Sequence, residues 1–184
     1  MKDMLKLVLI LTVICAVSSA LLAAVYSKTK EPIAAALELR TANAARKVMP
    51  EGVSTPEKKE VGGVTFFVAK NNGRLASVAV EGRSKNGYGG EIVLMVGLSA
   101  DGKLVNFQKL VANETPGLGA KIDSDAFRKP LLGRPLNADW RVKKDGGQVD
   151  AITAATISSR AALECIRDAI GKYEKAAGQL EIRN

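Results

Sequence analysis

The stretch Asp150-Ala151-Ile152-Thr153-Ala154-Ala155-Thr156-Ile157-Ser158-Ser159 gathers small residues and hydroxyls at the point where a helix should begin. Downstream, Ala162, Cys165, Ile166, Ala169, Ile170 and Tyr173 recur at the three-and-four spacing of one buried face, which predicts a helix from Ile157 to about Ala177. Thr153 to Thr156 then sits at a helix N-terminus. There the first backbone N–H groups lack intrahelical partners and the helix dipole favours negative charge, so a phosphate can be held without Lys or Arg. Ala154 and Ala155 leave room for such a group to reach the backbone. The same residue types also make an ordinary N-cap with solvated neighbours. The decapeptide alone leaves both readings open.

A second stretch, Asn113-Glu114-Thr115-Pro116-Gly117-Leu118-Gly119-Ala120-Lys121-Ile122, puts a proline and two glycines into a loop of defined shape. Together the two stretches resemble the FMN-binding domain shared by the G subunit of the Rnf electron-transport complex and the C subunit of the sodium-translocating NADH:quinone reductase. In that family a Ser/Thr-Gly/Ala-Ala-Thr segment carries FMN as a phosphoester on its last Thr, and a Glu-Thr-Pro-Gly-Leu-Gly loop lies near the flavin. The resemblance implies that Thr156 is the flavinylated residue, with Thr153, Ala154 and Ala155 beside it and Glu114, Thr115, Leu118 and Gly119 helping to form the pocket. Two positions depart from the family pattern: Ala154 stands where Gly is more usual, and Asn113 where His is frequent.

Composition narrows the chemistry independently. The chain of 184 residues has no His and two Cys, Cys15 in an apolar run and Cys165 on the buried helical face. Two such cysteines supply no disulfide framework, and no c-type haem, iron–sulfur or ordinary zinc site follows from them. Serine–histidine and cysteine–histidine nucleophile pairs are excluded as well. No residue is expected to act as catalyst in its own right, and redox chemistry requires an organic cofactor. The net charge of +8 is dispersed along the chain without a nucleic-acid motif, which reads as a basic surface rather than a nucleic-acid site. Aromatic residues make up 4% of a chain that is 47% hydrophobic, so the core is expected to be aliphatic.

Leu7 to Tyr26 is a run of twenty uncharged residues between Lys6 and Lys28, long enough to span a membrane as a retained helical anchor. Charge alone nearly balances across it, since Lys2 and Lys6 face Lys28 and Lys30. Pro32 is expected to open a separate helix running to Met49, and Glu51 to Glu60 to form a surface connection. Val64 to Lys70 and Leu75 to Glu81 flank Asn71-Asn72-Gly73 as a hairpin, Ile92 to Val96 reads as a central strand, and Leu104 to Val111 as the next. Four strands thus precede the Glu114 loop. A short helix is expected over Ser124 to Leu132, and a second hairpin, Trp140 to Lys143 with Gly147 to Ile152, around Asp145-Gly146. Tyr88, among glycines, either stacks near a cofactor or anchors its loop. Lys121 is read as solvated, and Trp140 as a core residue or a contact between subunits.

The expected fold is α+β: a single N-terminal transmembrane helix, then one domain with a mainly antiparallel sheet and flanking helices. The divisions are residues 1–30 as anchor, 31–60 as helical stalk and linker, and 61–184 as the FMN-binding domain. The resemblance implies covalent FMN, and a place as electron-carrying subunit in an Rnf-type ferredoxin:NAD oxidoreductase coupled to ion translocation. It also implies the complex's other membrane and redox subunits as partners, a flavin transferase for maturation, and single-pass insertion in the inner (plasma) membrane with the domain on the extracytoplasmic or periplasmic side. The C subunit of the sodium-translocating reductase, or an anchored module binding a phosphorylated ligand without redox chemistry, are the alternatives.

Overall fold

The structure is a computed structural model and describes residues 2–181, so residues 182–184 of the expected domain lie outside it. The chain divides into two compact units, Met1–Arg40 and Thr41–Asn184.

The described residues of the first unit all lie in α1 (Lys2–Lys47), the one helix among the described residues long and apolar enough to cross a membrane. Instead of starting a new helix, Pro32 lies inside α1. A proline there removes one backbone hydrogen bond at a cost of about 3 kcal/mol. The helix continues because strong helix formers, Ala34-Ala35-Ala36-Leu37-Glu38-Leu39-Arg40, follow directly. Thr29 Oγ1 donates to the Val25 carbonyl at 2.9 Å and Ser27 Oγ to the Ala24 carbonyl at 3.0 Å.

The second unit is built on a five-stranded antiparallel meander, β1 (Glu57–Val61), β2 (Val64–Asn71), β3 (Arg74–Gly87), β4 (Gly90–Ser99) and β5 (Leu104–Val111), ordered as in the chain. The β2–β3 turn follows its sequence signal, with Asn72 and Gly73 both at positive φ. One strand more than expected precedes the Glu114 loop. The segment Glu57-Lys58-Lys59-Glu60 carries no apolar alternation, yet it pairs with β2 through the tight Gly62-Gly63 turn, Glu57 opposite Val68 and Val61 opposite Val64. Its charged side chains suit a sheet edge.

Alternation distributes the sheet's side chains over two faces. Phe66, Val78, Val80, Leu94 and Val96 bury against α3 (Thr156–Glu181), while Phe67, Ala79, Val93 and Met95 bury against Ala44, Ala45, Val48 and Met49 from the end of α1 and the residues after it. Covered on both faces, β4 is buried from Ile92 to Leu98, which is why its sequence runs apolar without alternation.

Between β5 and α3 the chain makes a 3-10 turn at Gly119–Asp123, the short helix α2 (Asp125–Arg128) and further turns at Lys129–Leu131 and Lys143–Asp145. The expected hairpin around Asp145-Gly146 is absent. Val142 and Val149 form a single isolated parallel bridge, and Lys143 N–H donates to the Val149 carbonyl at 2.8 Å. The 3-10 turn consumes the residues an antiparallel ladder would need. Trp140 is a core residue whose indole N–H donates to the Leu136 carbonyl at 3.0 Å.

Candidate functional site

Three chain segments meet beside the N-terminus of α3: the β3–β4 turn at Tyr88-Gly89, the loop from Asn113 to Gly119, and residues 154–158. Their meeting leaves a cleft of about 470 Å³ lined by Tyr88, Glu114, Thr115, Leu118, Gly119, Ala154, Ala155, Thr156, Ile157 and Ser158. Of the site residues expected from sequence, all but Thr153 line it. Thr153 is exposed and stands just outside.

Local hydrogen bonds explain how the helix begins. Ala154 takes the left-handed conformation at φ 60°, and the Ala155 N–H closes a turn onto the Ile152 carbonyl at 2.9 Å. Ser159, not Thr156, ties the turn down. Its hydroxyl accepts from the Ile152 N–H at 2.9 Å and donates to the Ala155 carbonyl at 2.9 Å. The first helical amide with a carbonyl partner is that of Ser159, bonded to Ala155 at 3.0 Å. Among the described residues, the amides of Thr156, Ile157 and Ser158 have no acceptor and the Thr156 hydroxyl has no partner. The ordinary cap is thus made by another residue, and Thr156 is left half-buried on the cleft wall with its hydroxyl free.

Glu114 is the single charged side chain in the lining. It is 7% exposed; its Oε2 accepts from the Ser158 hydroxyl at 2.5 Å and its Oε1 from the Gly89 N–H at 3.2 Å. The backbone comes unusually close at two glycines. A Cβ on Gly119 would stand 2.3 Å from Glu114 Oε2 and 2.4 Å from Ser158 Oγ, and one on Gly89 would stand 1.8 Å from the Asn113 carbonyl oxygen. Outside the lining, Arg160 makes two 2.7 Å bonds to Asp145 and holds that carboxyl below its usual range.

The apolar surface is concentrated here too. Among the described residues from 41 onward the exposed large hydrophobic side chains are Tyr88 (71%), Ile157 (47%), Val111 (43%) and Leu118 (41%). Three of the four line the cleft. A second hollow, about 570 Å³, lies between Arg46 and Pro56 with Asn106, but its lining is mainly polar and no helix N-terminus opens into it. No cluster of three metal-ligating side chains occurs among the described residues. Sequence reasoning left Tyr88 between two roles and did not single out Ile157 or Ser158. The helical periodicity counts Ile157 and Ser158 as first-turn residues, and nothing local tells that they face a loop more than thirty residues upstream.

Comparison with known proteins finds an FMN-binding domain over residues 87–171. The G subunit of the ion-translocating oxidoreductase complex of Methanosarcina acetivorans is 33% identical over 178 residues, 92% of this chain and 94% of that protein. The G subunit of the proton-translocating ferredoxin:NAD(+) oxidoreductase complex of Clostridium ljungdahlii is 33% identical over 170 residues, 91% and 90% of the two chains. The corresponding Vibrio parahaemolyticus protein is 31% identical over 134 residues, which is 70% of this chain but only 64% of that one. Among solved structures, the C subunit of the Na(+)-translocating NADH-quinone reductase from Parabacteroides distasonis has the same fold, with a TM-score of 0.51 and 24% identity over 66% of this chain and 64% of that one.

Proposed function

The chain belongs to the G-subunit family of ion-translocating oxidoreductase complexes, and from that premise we propose that it is a membrane-anchored electron-carrying subunit with FMN joined through its phosphate to the Thr156 hydroxyl. The observation that carries this reading is the free Thr156 hydroxyl beside three unpaired amides at the start of a 26-residue helix. Those amides and the helix dipole suit a phosphate, which explains a phosphate site lined by no Lys or Arg.

The rest of the lining fits the remainder of FMN. The cleft volume falls in the range of ~300–1,000 Å³ usual for small-molecule sites, and Tyr88, Leu118 and Ile157 offer apolar surface to a flat ring. Bound FMN supplies the electron transfer itself. The protein's part is to hold and orient. The turn at Ala154 and the first amides of α3 fix the attachment point, the side chains of Leu118 and Ile157 exclude water from one side, and the open mouth leaves an edge accessible to a redox partner. No side chain is asked to move a proton, in keeping with a sequence without His.

In the same reading residues 1–30 anchor the chain in the inner membrane, 31–60 form stalk and linker, with β1 joining the sheet from within it, and 61–184 form the FMN-binding domain on the extracytoplasmic side. A flavin transferase installs the cofactor, and the other subunits of an Rnf-type ferredoxin:NAD oxidoreductase complex exchange electrons with it and move the ion.

The test is co-expression with a flavin transferase followed by denaturing electrophoresis. The wild-type chain should fluoresce under ultraviolet light, and Thr156→Ala should be dark while remaining folded, because no hydrogen bond of the Thr156 side chain is lost. Equal fluorescence from the two would refute the attachment site. A wild-type band that never fluoresces, from a protein that still binds inorganic phosphate, would favour a non-covalent phospho-ligand module.

A further inference from the structure

Glu114 is a buried carboxylate that forms no ion pair with Lys or Arg among the described residues. Such a group is costly to bury, since its desolvation is offset here only by hydrogen bonds from two neutral donors. The donors come from two different segments, and Glu114 itself from a third. Each lies next to a cleft-lining side chain. Gly89 follows Tyr88, Ser158 follows Thr156 and Ile157, and Glu114 precedes Thr115 and Leu118.

The backbone packs closely around this carboxylate. A Cβ on Gly87 would stand 2.7 Å from Glu114 Oε1, and Gly119 is pressed against both Oε2 and the Ser158 hydroxyl. We propose that Glu114 is the positioning residue of the cleft: by bridging the Gly89 amide and the Ser158 hydroxyl it fixes Tyr88, Leu118 and the Thr156 attachment point relative to one another, and so sets the space in which the ring is held. The proposal rests on the FMN reading. Glu114 acts through its neighbours and does not itself take part in electron transfer.

The experiment uses the full chain in detergent, both flavin-free and flavinylated, as wild type, Glu114→Ala, Glu114→Gln and Ser158→Ala. In the flavin-free protein, hydrogen exchange mapped by peptide reads the bridge directly. Losing a buried hydrogen bond should speed exchange roughly tenfold over residues 87–90 and 115–119 in Glu114→Ala and Ser158→Ala, with the centre of β4 unchanged. Glu114→Gln keeps the size and can serve both partners, because the Ser158 hydroxyl can turn from donor to acceptor; it should exchange like wild type. In the flavinylated protein, flavin fluorescence anisotropy should fall for Glu114→Ala and Ser158→Ala and be restored in Glu114→Gln.

Wild-type exchange over residues 87–90 in both disrupting variants would overturn the bridge. Faster exchange with unchanged anisotropy would overturn its control of the ring, and a Gln variant as loose as the Ala variant would overturn the geometric account in favour of charge. A wild-type chain that accepts no flavin would remove the underlying reading, and with it the proposal, before any variant is compared.

Discussion

Along the body of α3, from Ala161 to Leu180, the side facing the sheet is closed. Ala161, Ala162, Leu163, Cys165, Ile166 and Ala169 are all at or below 1% exposure. Polar groups along it also find partners on β3: Glu164 accepts from Ser84 at 2.6 Å and Asn86 at 2.8 Å, Asp168 from the Arg83 amide at 2.9 Å, and Lys172 donates to the Glu81 carbonyl at 2.9 Å. The first turn of the same helix does the reverse. Its amides and the Thr156 hydroxyl are unpaired and Ile157 is half exposed. The contrast teaches a division of labour. Burial along the body holds the helix against the sheet, and that surplus lets the first turn keep its donors for a ligand instead of for the fold.

The contrast can be broken from the body. Ile166→Ala removes a fully buried side chain and should cost about 2–5 kcal/mol in chemical unfolding, yet leave flavin attached to whatever protein remains folded. Loss of attachment in the folded fraction would mean that body and first turn are not separable.

A smaller effect is expected at their junction. Gly119→Ala forces a methyl against Glu114 and Ser158, and should cost about 1–3 kcal/mol through the displaced buried hydrogen bond. Unlike Ile166→Ala it should also change the absorption spectrum of attached flavin. An unaltered spectrum would place the ring away from this loop.

Smaller still is the turn before the helix. Ala154 holds a left-handed conformation that costs an L-residue about 1–2 kcal/mol, partly recovered because alanine restricts the unfolded chain more than glycine does. Ala154→Gly should therefore stabilise by about 0.5 kcal/mol in urea titration without altering flavin content. Destabilisation would show that the strain is not present.

The last contrast is silent at neutral pH. Burial, aided by Asp168 and Glu164, pushes the Cys165 thiol up to about 12, and its S–H donates to the Ile92 carbonyl at 3.3 Å. Because the folded value lies above the unfolded one, stability is untouched below the unfolded pKa, near ~8.5, and falls as pH rises from there toward about 12. Denaturation midpoints measured from about pH 8 to 10.5 should decline less steeply in Cys165→Ala. Iodoacetamide should leave Cys165 unmodified until the domain unfolds, and rapid labelling of the native protein would contradict its burial.

Much of this layout was readable from periodicity. The unbroken apolar run of β4, the three-and-four spacing of α3 and the Asn72-Gly73 turn each carry a local physical signal. β1 carries none, since its charged residues become a strand only by pairing with β2 across Gly62-Gly63. Pro32 misleads because its own preference is overridden by the helix formers that follow it. The Asp145-Gly146 turn is real, but a 3-10 turn rather than a ladder grows around it. At the cleft, the Glu114 loop and Thr156 were legible as motifs through family resemblance. The bond from Ser158 to Glu114 spans 44 residues, and no local spacing announces it.

The most direct test of the central claim is peptide mass spectrometry of the chain isolated from its native membrane, or after co-expression with a flavin transferase. The peptide containing Thr156 should carry the mass of FMN less one water, with fragment ions placing the addition on Thr156. An unmodified Thr156 peptide, or the same addition on Thr153 or Ser158, would contradict it.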